Sequence, residues 1–416
     1  MSAVTIDSAT GCLVIGGAKV FPIGLSEAPA PDGLTRDGRN AWAEVSSAGV
    51  NVVRTGLRDW SLAQIDAQIA AERARMDAAA VHGMFCWPRL GNAGNVPAAG
   101  GSVEEQLLLK IANGLKTHPA LVAYKGVDEP ALGGVAADGL VRARTRLRTV
   151  DTDHPVVITQ APRGTAASLT PYRPAFDITG ADIYPVAYPP GQHSDLPNKD
   201  ISVVGDVTKK MVTAAGGKPV WMTLQIAWSG ITPGQQHPNI VPRFPTLQEE
   251  RFMAYQAIVN GSRGLIFFGG QLTQVMRPRD AQLGWNWTFW DLVLRSVLVE
   301  LTSPSVLPAL TGPTAGAVTA SASDLQVATR QAGTTLYVIG VRTGATTSRV
   351  TFSGLPPKQG GSALAAGQVL FEYAQDPLPP PIQPGNEQFR HVQVSSGSFK
   401  DWFGPHDVHV YRFNLA

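Results

Sequence analysis

Two adjacent acids, Asp128 and Glu129, stand between an apolar run at residues 121–127 and Pro130. A carboxyl group at the end of a buried strand suits general acid/base chemistry, because an apolar cleft and a neighbouring negative charge both raise its pKa toward neutral pH. We therefore expect Glu129 to donate a proton. Successive residues of a strand face opposite sides, so Asp128 can share this site only if the chain kinks at Pro130.

Other apolar runs also end in side chains that can bind a polar ligand. These residues are Glu27, Arg54, Trp87, Gln160, Asp182, Tyr184, Gln225 and Trp228. Carboxylates, amides and guanidinium groups bind hydroxyls, and aromatic rings pack against the apolar faces of ligands. Each also has a structural interpretation. Asp128 or Glu129 could cap a loop or pair with Arg54, and Asp182 could orient Tyr184 or a loop amide.

Eight apolar runs rich in β-branched or aromatic residues are the strands that would position these side chains. They begin near Val20, Asn51, His82, Leu121, Pro155, Asp177, Lys218 and Ser262. Their spacing is close to the roughly 30 residues that a strand, a loop and a crossover helix need. This order predicts a TIM (β/α)8 barrel with its site at the carboxyl ends of the strands. An open doubly wound sheet is disfavoured, since no glycine-rich phosphate turn follows the first strand.

The predicted barrel has an extension at each end. Gly16 and Gly17 lie between two short apolar runs, which predicts a hairpin beneath the barrel. After Ser303 and Pro304 the pattern changes to short strands separated by turn residues, which predicts an antiparallel β-sandwich. We therefore assign residues 1–302 to the barrel domain with its hairpin and residues 303–416 to the sandwich. The interval between the fifth and sixth strands has room for only a short helix.

The segment around Asp128 and Glu129 resembles the fourth strand of clan A glycoside hydrolases, where an Asn-Glu-Pro sequence carries the general acid/base. Residues 51–54 resemble the second strand of that clan with its arginine, and residues 181–185 the sixth strand with its tyrosine. Residues 218–225 resemble the seventh strand. The resemblance implies a barrel enzyme that cleaves glycosidic bonds with Glu129 as its general acid.

Three positions depart from the pattern of the clan. Asp128 replaces the asparagine, residues 267–269 contain no tryptophan at the end of the eighth strand, and Gln225 stands where the clan has its glutamate nucleophile. An amide cannot ionise or form a glycosyl ester, so the retaining mechanism with two glutamates does not transfer. We expect Gln225 to hydrogen-bond to a sugar hydroxyl or a water.

Glycoside cleavage needs a second carboxylate besides Glu129. We expect Asp182 in this role, with Asp128 and Glu27 as competitors. A separation of about 6.5–9.5 Å between the two carboxyl groups would admit a water and give inversion of configuration. Two alternatives are a non-catalytic carbohydrate-binding barrel and a different hydrolase or lyase on the same scaffold.

The composition narrows the possible partners. Lys plus Arg is 34 and Asp plus Glu is 32, which gives a net charge of +2 and argues against nucleic acid or an anionic membrane as a partner. His, Cys and acidic residues show no metal-ligand spacing, so neither a metal nor a cofactor is expected. No secretory signal is visible, which leaves cytoplasmic and trimmed secreted forms both open, as is the oligomeric state.

Overall fold

The computed structural model describes residues 4–187, 193–226, 243–268, 287–373 and 389–416. Eight short strands form one parallel sheet in this part of the chain: β4 (Ile23–Leu25), β5 (Val52–Val53), β6 (Phe85–Cys86), β7 (Tyr124–Lys125), β8 (Val156–Gln160), β9 (Ile178–Ile183), β10 (Trp221–Gln225) and β11 (Gly264–Phe268). Their order in the sheet is β6-β5-β4-β11-β10-β9-β8-β7. Parallel bridges from Cys86 to Leu121 and from Arg89 to Lys125 join the two ends of the sheet. The predicted strand sequence of a TIM barrel is confirmed.

Helices alternate with these strands. They are α1 (Ala41–Ser47), α2 (Ile65–Val81), α3 (Val103–Leu115), α4 (Ala137–Leu147), α5 (Ala166–Leu169), α6 (Val203–Ala215), α7 (Leu247–Val259), α8 (Trp287–Phe289), α9 (Arg295–Thr302) and α10 (Leu307–Thr311). Between β8 and β9 the crossover holds only α5 and a 3₁₀ turn, Thr170–Ala175, as the short interval between these strands predicts. Thr246 and Glu249 form a capping box at the start of α7.

An antiparallel sheet of three strands lies at the amino-terminal end of the chain. Its strands are β1 (Val4–Ile6), β2 (Leu13–Ile15) and β3 (Ala18–Val20). Gly16 and Gly17 make the turn between β2 and β3 with φ angles of 58° and 84°, which confirms the predicted hairpin. Val4 and Leu13 belong to the same apolar cluster as Val122 and Trp221 of the barrel, so this sheet covers the barrel floor.

Two antiparallel sheets follow the barrel. Their strands are β12 (Thr319–Ala320), β13 (Leu325–Ala332), β14 (Thr335–Arg342), β15 (Ser348–Ser353), β16 (Ala366–Tyr373), β17 (Phe389–Gln393), β18 (Ser398–Phe403) and β19 (Val408–Asn414). The sheet orders are β12-β15-β18 and β13-β14-β19-β16-β17. Phe352, Phe399 and Tyr411 join both sheets in one apolar cluster. Tyr337 and Ile339 of β14 instead belong to the main cluster of the barrel, so this region packs against the barrel.

Helix α7 contains a fully buried acid beside a paired one. Glu250 has no exposed surface, and neither of its carboxyl oxygens has a hydrogen-bond partner among the described residues. Burial, together with the nearby charge of Glu249, raises the pKa of Glu250 well above its usual value. Although partial burial opposes it, the hydrogen bond from Arg243 lowers the pKa of Glu249. Two neighbouring glutamates therefore have opposite effects on stability as the pH changes.

We expect Glu250→Met to raise the free energy of unfolding at pH 7.5 by about 1–3 kcal/mol, the usual cost of an unsatisfied buried polar group. Because the folded-state pKa of Glu250 is raised, its favourable contribution is complete below pH 4.5 and declines as the pH rises toward that folded-state value. Denaturant unfolding between pH 5 and 8 measures this. Glu249→Met is the matched control and should instead be destabilising at pH 7.5 by about 1 kcal/mol through loss of the cap. A destabilised Glu250→Met protein at pH 7.5 contradicts the prediction.

Candidate active site

A cavity of about 400 Å³ opens at the carboxyl ends of the barrel strands. Six predicted site residues line it: Arg54, Trp87, Asp128, Glu129, Asp182 and Tyr184. The other lining residues are Ser26, Arg58, Leu132, Thr159, Ala161, Pro162, Arg163, His193, Thr223, Ile266 and Phe268. We call this space the central cavity. It lies at the end of the barrel that the fold reserves for loops and ligands.

The backbone at Glu129 brings two adjacent acids into one cavity. Glu129 has a φ angle of 44°, a left-handed conformation that a residue with a side chain adopts only when its surroundings impose it. Its N–H donates a hydrogen bond of 2.8 Å to the carbonyl oxygen of Thr159 at the end of β8, and its own carbonyl accepts from Gly133. The expected kink therefore lies at Glu129 itself rather than at Pro130. It directs both Asp128 and Glu129 toward the cavity.

The carboxyl groups of Glu129 and Asp182 are in hydrogen-bonding contact. Burial, and then the charge and hydrogen bond of Glu129, raise the pKa of Asp182 well above its usual value. The hydroxyl of Tyr184 also contacts Asp182 and partly opposes this shift. Asp182 therefore keeps its proton to a higher pH than an exposed aspartate does. Because the two groups are in contact, the expected separation of about 6.5–9.5 Å, with a water between them, is wrong for this pair.

Asp128 differs from this pair because it has a cation beside it. Its Oδ1 lies 2.8 Å from Nζ of Lys125, a side chain that is 1% exposed. Although desolvation opposes them, the charges of Lys125 and Arg54 lower the pKa of Asp128 below its usual value. The central cavity thus combines an Asp182 carboxyl group that holds its proton with the ionised carboxylate of Asp128.

Aromatic rings surround the pair of acids. The ring of Tyr184 stacks on Phe268 at 5.3 Å and lies 4.3 Å from the ring of His193. His193 accepts a hydrogen bond from the N–H of Tyr184 through Nδ1, and its Nε2 is 4.0 Å from Asp182. Burial, with a contribution from the charge of Arg163, lowers the pKa of His193 to about 3. The ring is neutral at physiological pH and adds no charge to the site.

Trp87 reaches the central cavity from inside the barrel. It is 1% exposed and contacts Trp221 edge to face, with ring centroids 6.0 Å apart. Its indole N–H has no hydrogen-bond partner among the described residues. Trp87 therefore forms the floor of the cavity, with an unused donor, rather than an exposed platform.

Four predicted site residues do not line the central cavity. The amide of Gln225 accepts a hydrogen bond of 2.7 Å from the N–H of Val186 and donates one of 2.9 Å to its carbonyl oxygen, so it fixes a loop instead of facing the ligand space. Gln160 accepts from the N–H of Ala131. Glu27 lies in a neighbouring cavity, paired with Arg54. Trp228 lies outside the described residues.

The sequence analysis missed several residues of the central cavity. Thr223 pairs with Asp182 across β10 and β9, so alternation along β10 is a signal that could have found it. His193, Arg163 and Arg58 come from loops, whose course no periodicity of the sequence reveals. Within the described ranges, no group of His, Cys, Asp and Glu is arranged to hold a metal ion. No described helix is long and apolar enough to cross a membrane.

Removing the Glu129 carboxylate should release the proton from Asp182 at lower pH. We expect Glu129→Gln to lower the pKa of Asp182, because the amide carries no charge to oppose ionisation. A carboxyl titration by ¹³C NMR of the variant and the native protein measures the shift. Asp66→Asn, an exposed change on α2, is the control and should leave the titration unchanged. An unaltered pKa of Asp182 in Glu129→Gln contradicts the coupling.

No protein-family model and no curated protein matches the sequence. Among solved structures, a family 5 glycoside hydrolase from Bacteroides vulgatus ATCC 8482 has a TM-score of 0.58 at 14% identity, with 99% of this chain and 93% of that chain covered. A GH30 endoxylanase from Clostridium papyrosolvens C71 has a TM-score of 0.52 at 13% identity over 99% of this chain and 100% of that one. At these identities the likeness shows the fold alone, and the chain shares the TIM-barrel fold with these glycoside hydrolases.

Proposed function

We propose that this protein hydrolyses an O-glycosidic bond of an oligo- or polysaccharide by carboxylic acid/base catalysis. The observation that carries the proposal is the contact between Glu129 and Asp182, which keeps one proton in a cavity that also holds the ionised Asp128. Glycoside cleavage needs both forms: an acid for the leaving oxygen and a carboxylate for the anomeric centre or a water.

Glu129 is the proton donor of this mechanism. It is only partly buried, whereas Asp182 is 8% exposed and lies deeper. Glu129 protonates the glycosidic oxygen and takes up the proton held by Asp182, and the water that adds to the anomeric carbon returns a proton to the two carboxyl groups. Asp182 thus serves as a proton reservoir, and the hydroxyl of Tyr184 orients it. General acid catalysis of this kind contributes about 10²–10⁴ to the rate.

Asp128 supplies the negative charge in this mechanism. Lys125 keeps it ionised, and its carboxylate is exposed to the cavity, so it can stabilise the positive charge that develops at the anomeric carbon. Tyr184, Trp87 and Phe268 provide apolar surfaces for a sugar ring. Carbohydrate is therefore the substrate class that this cavity fits best.

The two carboxyl-terminal sheets complete the proposed organisation. We assign them to a β-sandwich domain at residues 303–416 that stabilises the barrel, because β14 shares the main apolar cluster with the barrel helices. The proposal gives this domain no part in catalysis.

A second candidate function is non-catalytic binding of carbohydrate. The observation in its favour is Gln225, an amide at the end of β10 whose hydrogen bonds go to Val186. This candidate predicts that the native protein binds sugars and turns over no glycoside. Release of unsaturated products would instead indicate a lyase.

Hydrolysis should depend on both acids of the pair. Native protein is expected to release sugar from aryl glycosides or polysaccharides, whereas Glu129→Gln and Asp182→Asn each lower kcat by at least about 10². Asp66→Asn is the control with native activity. ¹H NMR of the first product gives its anomeric configuration. Turnover that survives in both variants contradicts the proposed acid, and turnover of no glycoside by the native protein favours the binding function.

The acid limb of the pH–rate profile should report Asp128. Lys125 lowers the pKa of Asp128, so Lys125→Met should raise it and move the acid limb of kcat/KM to higher pH. The basic limb, where the Glu129–Asp182 pair loses its proton, should stay at higher pH than the acid limb. Measurement of kcat/KM from pH 3 to 9 tests this. An acid limb that does not move in Lys125→Met excludes Asp128 as the ionised group.

A further inference from the structure

A second cavity of about 270 Å³ adjoins the central cavity. Its polar lining consists chiefly of Glu27, Arg54, Arg75 and Arg89, and we call it the arginine pocket. Arg54 lines both cavities and is their common wall. A group attached to a sugar in the central cavity can therefore meet the same guanidinium group from the other side.

Positive charge in the arginine pocket exceeds the negative charge available to it. Arg54 and Arg89 both donate to the same oxygen, Oε1 of Glu27, at 2.9 Å and 3.2 Å. Their side chains are only 7% and 16% exposed. Two buried guanidinium groups thus share one carboxylate oxygen. Nε of Arg54 has no hydrogen-bond partner among the described residues.

Arg75 adds a third cation at the rim. Its Nη1 is 3.5 Å from Oε2 of Glu72, which accepts a shorter bond of 2.9 Å from the N–H of Gly56. Burial raises the pKa of Glu72, which weakens it as a counter-ion. Asp128 is an ion-pair partner of Lys125 at 2.8 Å, and its charge acts on Arg54 and Arg89 only through space. The arginine pocket therefore has more guanidinium N–H donors than carboxylate oxygens that accept from them.

The neighbouring guanidinium groups of the arginine pocket destabilise the folded protein when no anion is bound, and a bound anion offsets this cost. Burial of neighbouring like charges destabilises a protein unless a counter-charge compensates them. Guanidinium groups match oxyanions through paired N–H donors. The pocket is slightly smaller than the usual range of about 300–1,000 Å³ for a complete ligand site, so it suits a substituent rather than a whole sugar chain.

We propose that the arginine pocket binds an anionic oxyacid group of the substrate, either the carboxylate of a uronic acid or a sulfate ester, and that the preferred substrates are acidic glycans. This inference rests on the proposed glycosidase function for its substrate, but apart from Arg54 its residues do not line the central cavity. It assigns Arg75 a role in substrate specificity that the cleavage chemistry does not require.

Binding of simple sugars tests the pocket without any turnover. Isothermal titration calorimetry with glucuronate, glucose 6-sulfate and glucose should show that at least one acidic sugar binds about tenfold or more tightly than glucose, the gain expected from one charge-assisted contact. Arg75→Gln should remove this preference and leave glucose binding unchanged. Arg36→Gln removes one exposed positive charge outside the pocket and should keep the native preference.

The outcomes separate the two proposals. Tighter binding of glucuronate alone identifies a carboxylate site, and tighter binding of the sulfate alone identifies a sulfate site. Equal affinity for all three sugars, or an acid preference that persists in Arg75→Gln, overturns the inference.

Neutral and acidic aryl glycosides then test turnover. If neither is hydrolysed while binding of the acid still requires Arg75, the glycosidase function fails and the pocket remains. If native protein and Arg75→Gln both hydrolyse the neutral and the acidic glycoside equally well, the glycosidase function stands and the proposed role of the arginine pocket fails.

Discussion

The contact between the carboxyl groups of Glu129 and Asp182 is the interaction on which the site depends. Burial and the negative charge of Glu129 both oppose ionisation of Asp182, so Asp182 keeps its proton. The fold enforces the contact through two strands. β9 fixes Asp182, and the end of β8 holds the left-handed turn at Glu129 through the carbonyl of Thr159. The strained turn and the raised pKa of Asp182 are therefore two consequences of the same placement.

Much of the architecture could be predicted from the sequence, because the residue patterns that mark strands and turns are local. Runs of β-branched and aromatic residues marked all eight barrel strands, and Gly16 and Gly17 marked the turn of the hairpin. The site residues that stand at the ends of strands could also be predicted from the sequence. Arg54, Trp87, Asp128, Glu129, Asp182 and Tyr184 all line the central cavity, because the carboxyl ends of parallel strands converge on one face of a barrel.

What the sequence did not reveal depends on loops and on the distances between strands. Gln225 and Gln160 stand at strand ends, yet their amides bind the backbone of Val186 and Ala131. Nothing in their types or positions distinguishes an amide that holds a loop from one that meets a ligand. His193 enters from a loop with no periodic pattern. The separation of Glu129 and Asp182 was misjudged because it depends on the φ angle of Glu129, which sequence spacing does not contain.

The amide at Gln225 also explains why acid chemistry is confined to the other strands. Its Nε2 donates to the carbonyl oxygen of Val186, and the side chain has no exposed surface. A glutamate in the same position would set a carboxylate oxygen against that carbonyl, with no donor between two acceptors, and burial would add the cost of an uncompensated charge. The loop that contains Val186 therefore requires a donor at the position where the clan A pattern has a glutamate. In the proposed mechanism the carboxyl groups come from the ends of β7 and β9, where Lys125 and Arg54 compensate the negative charge of Asp128 and Asp182 keeps its proton.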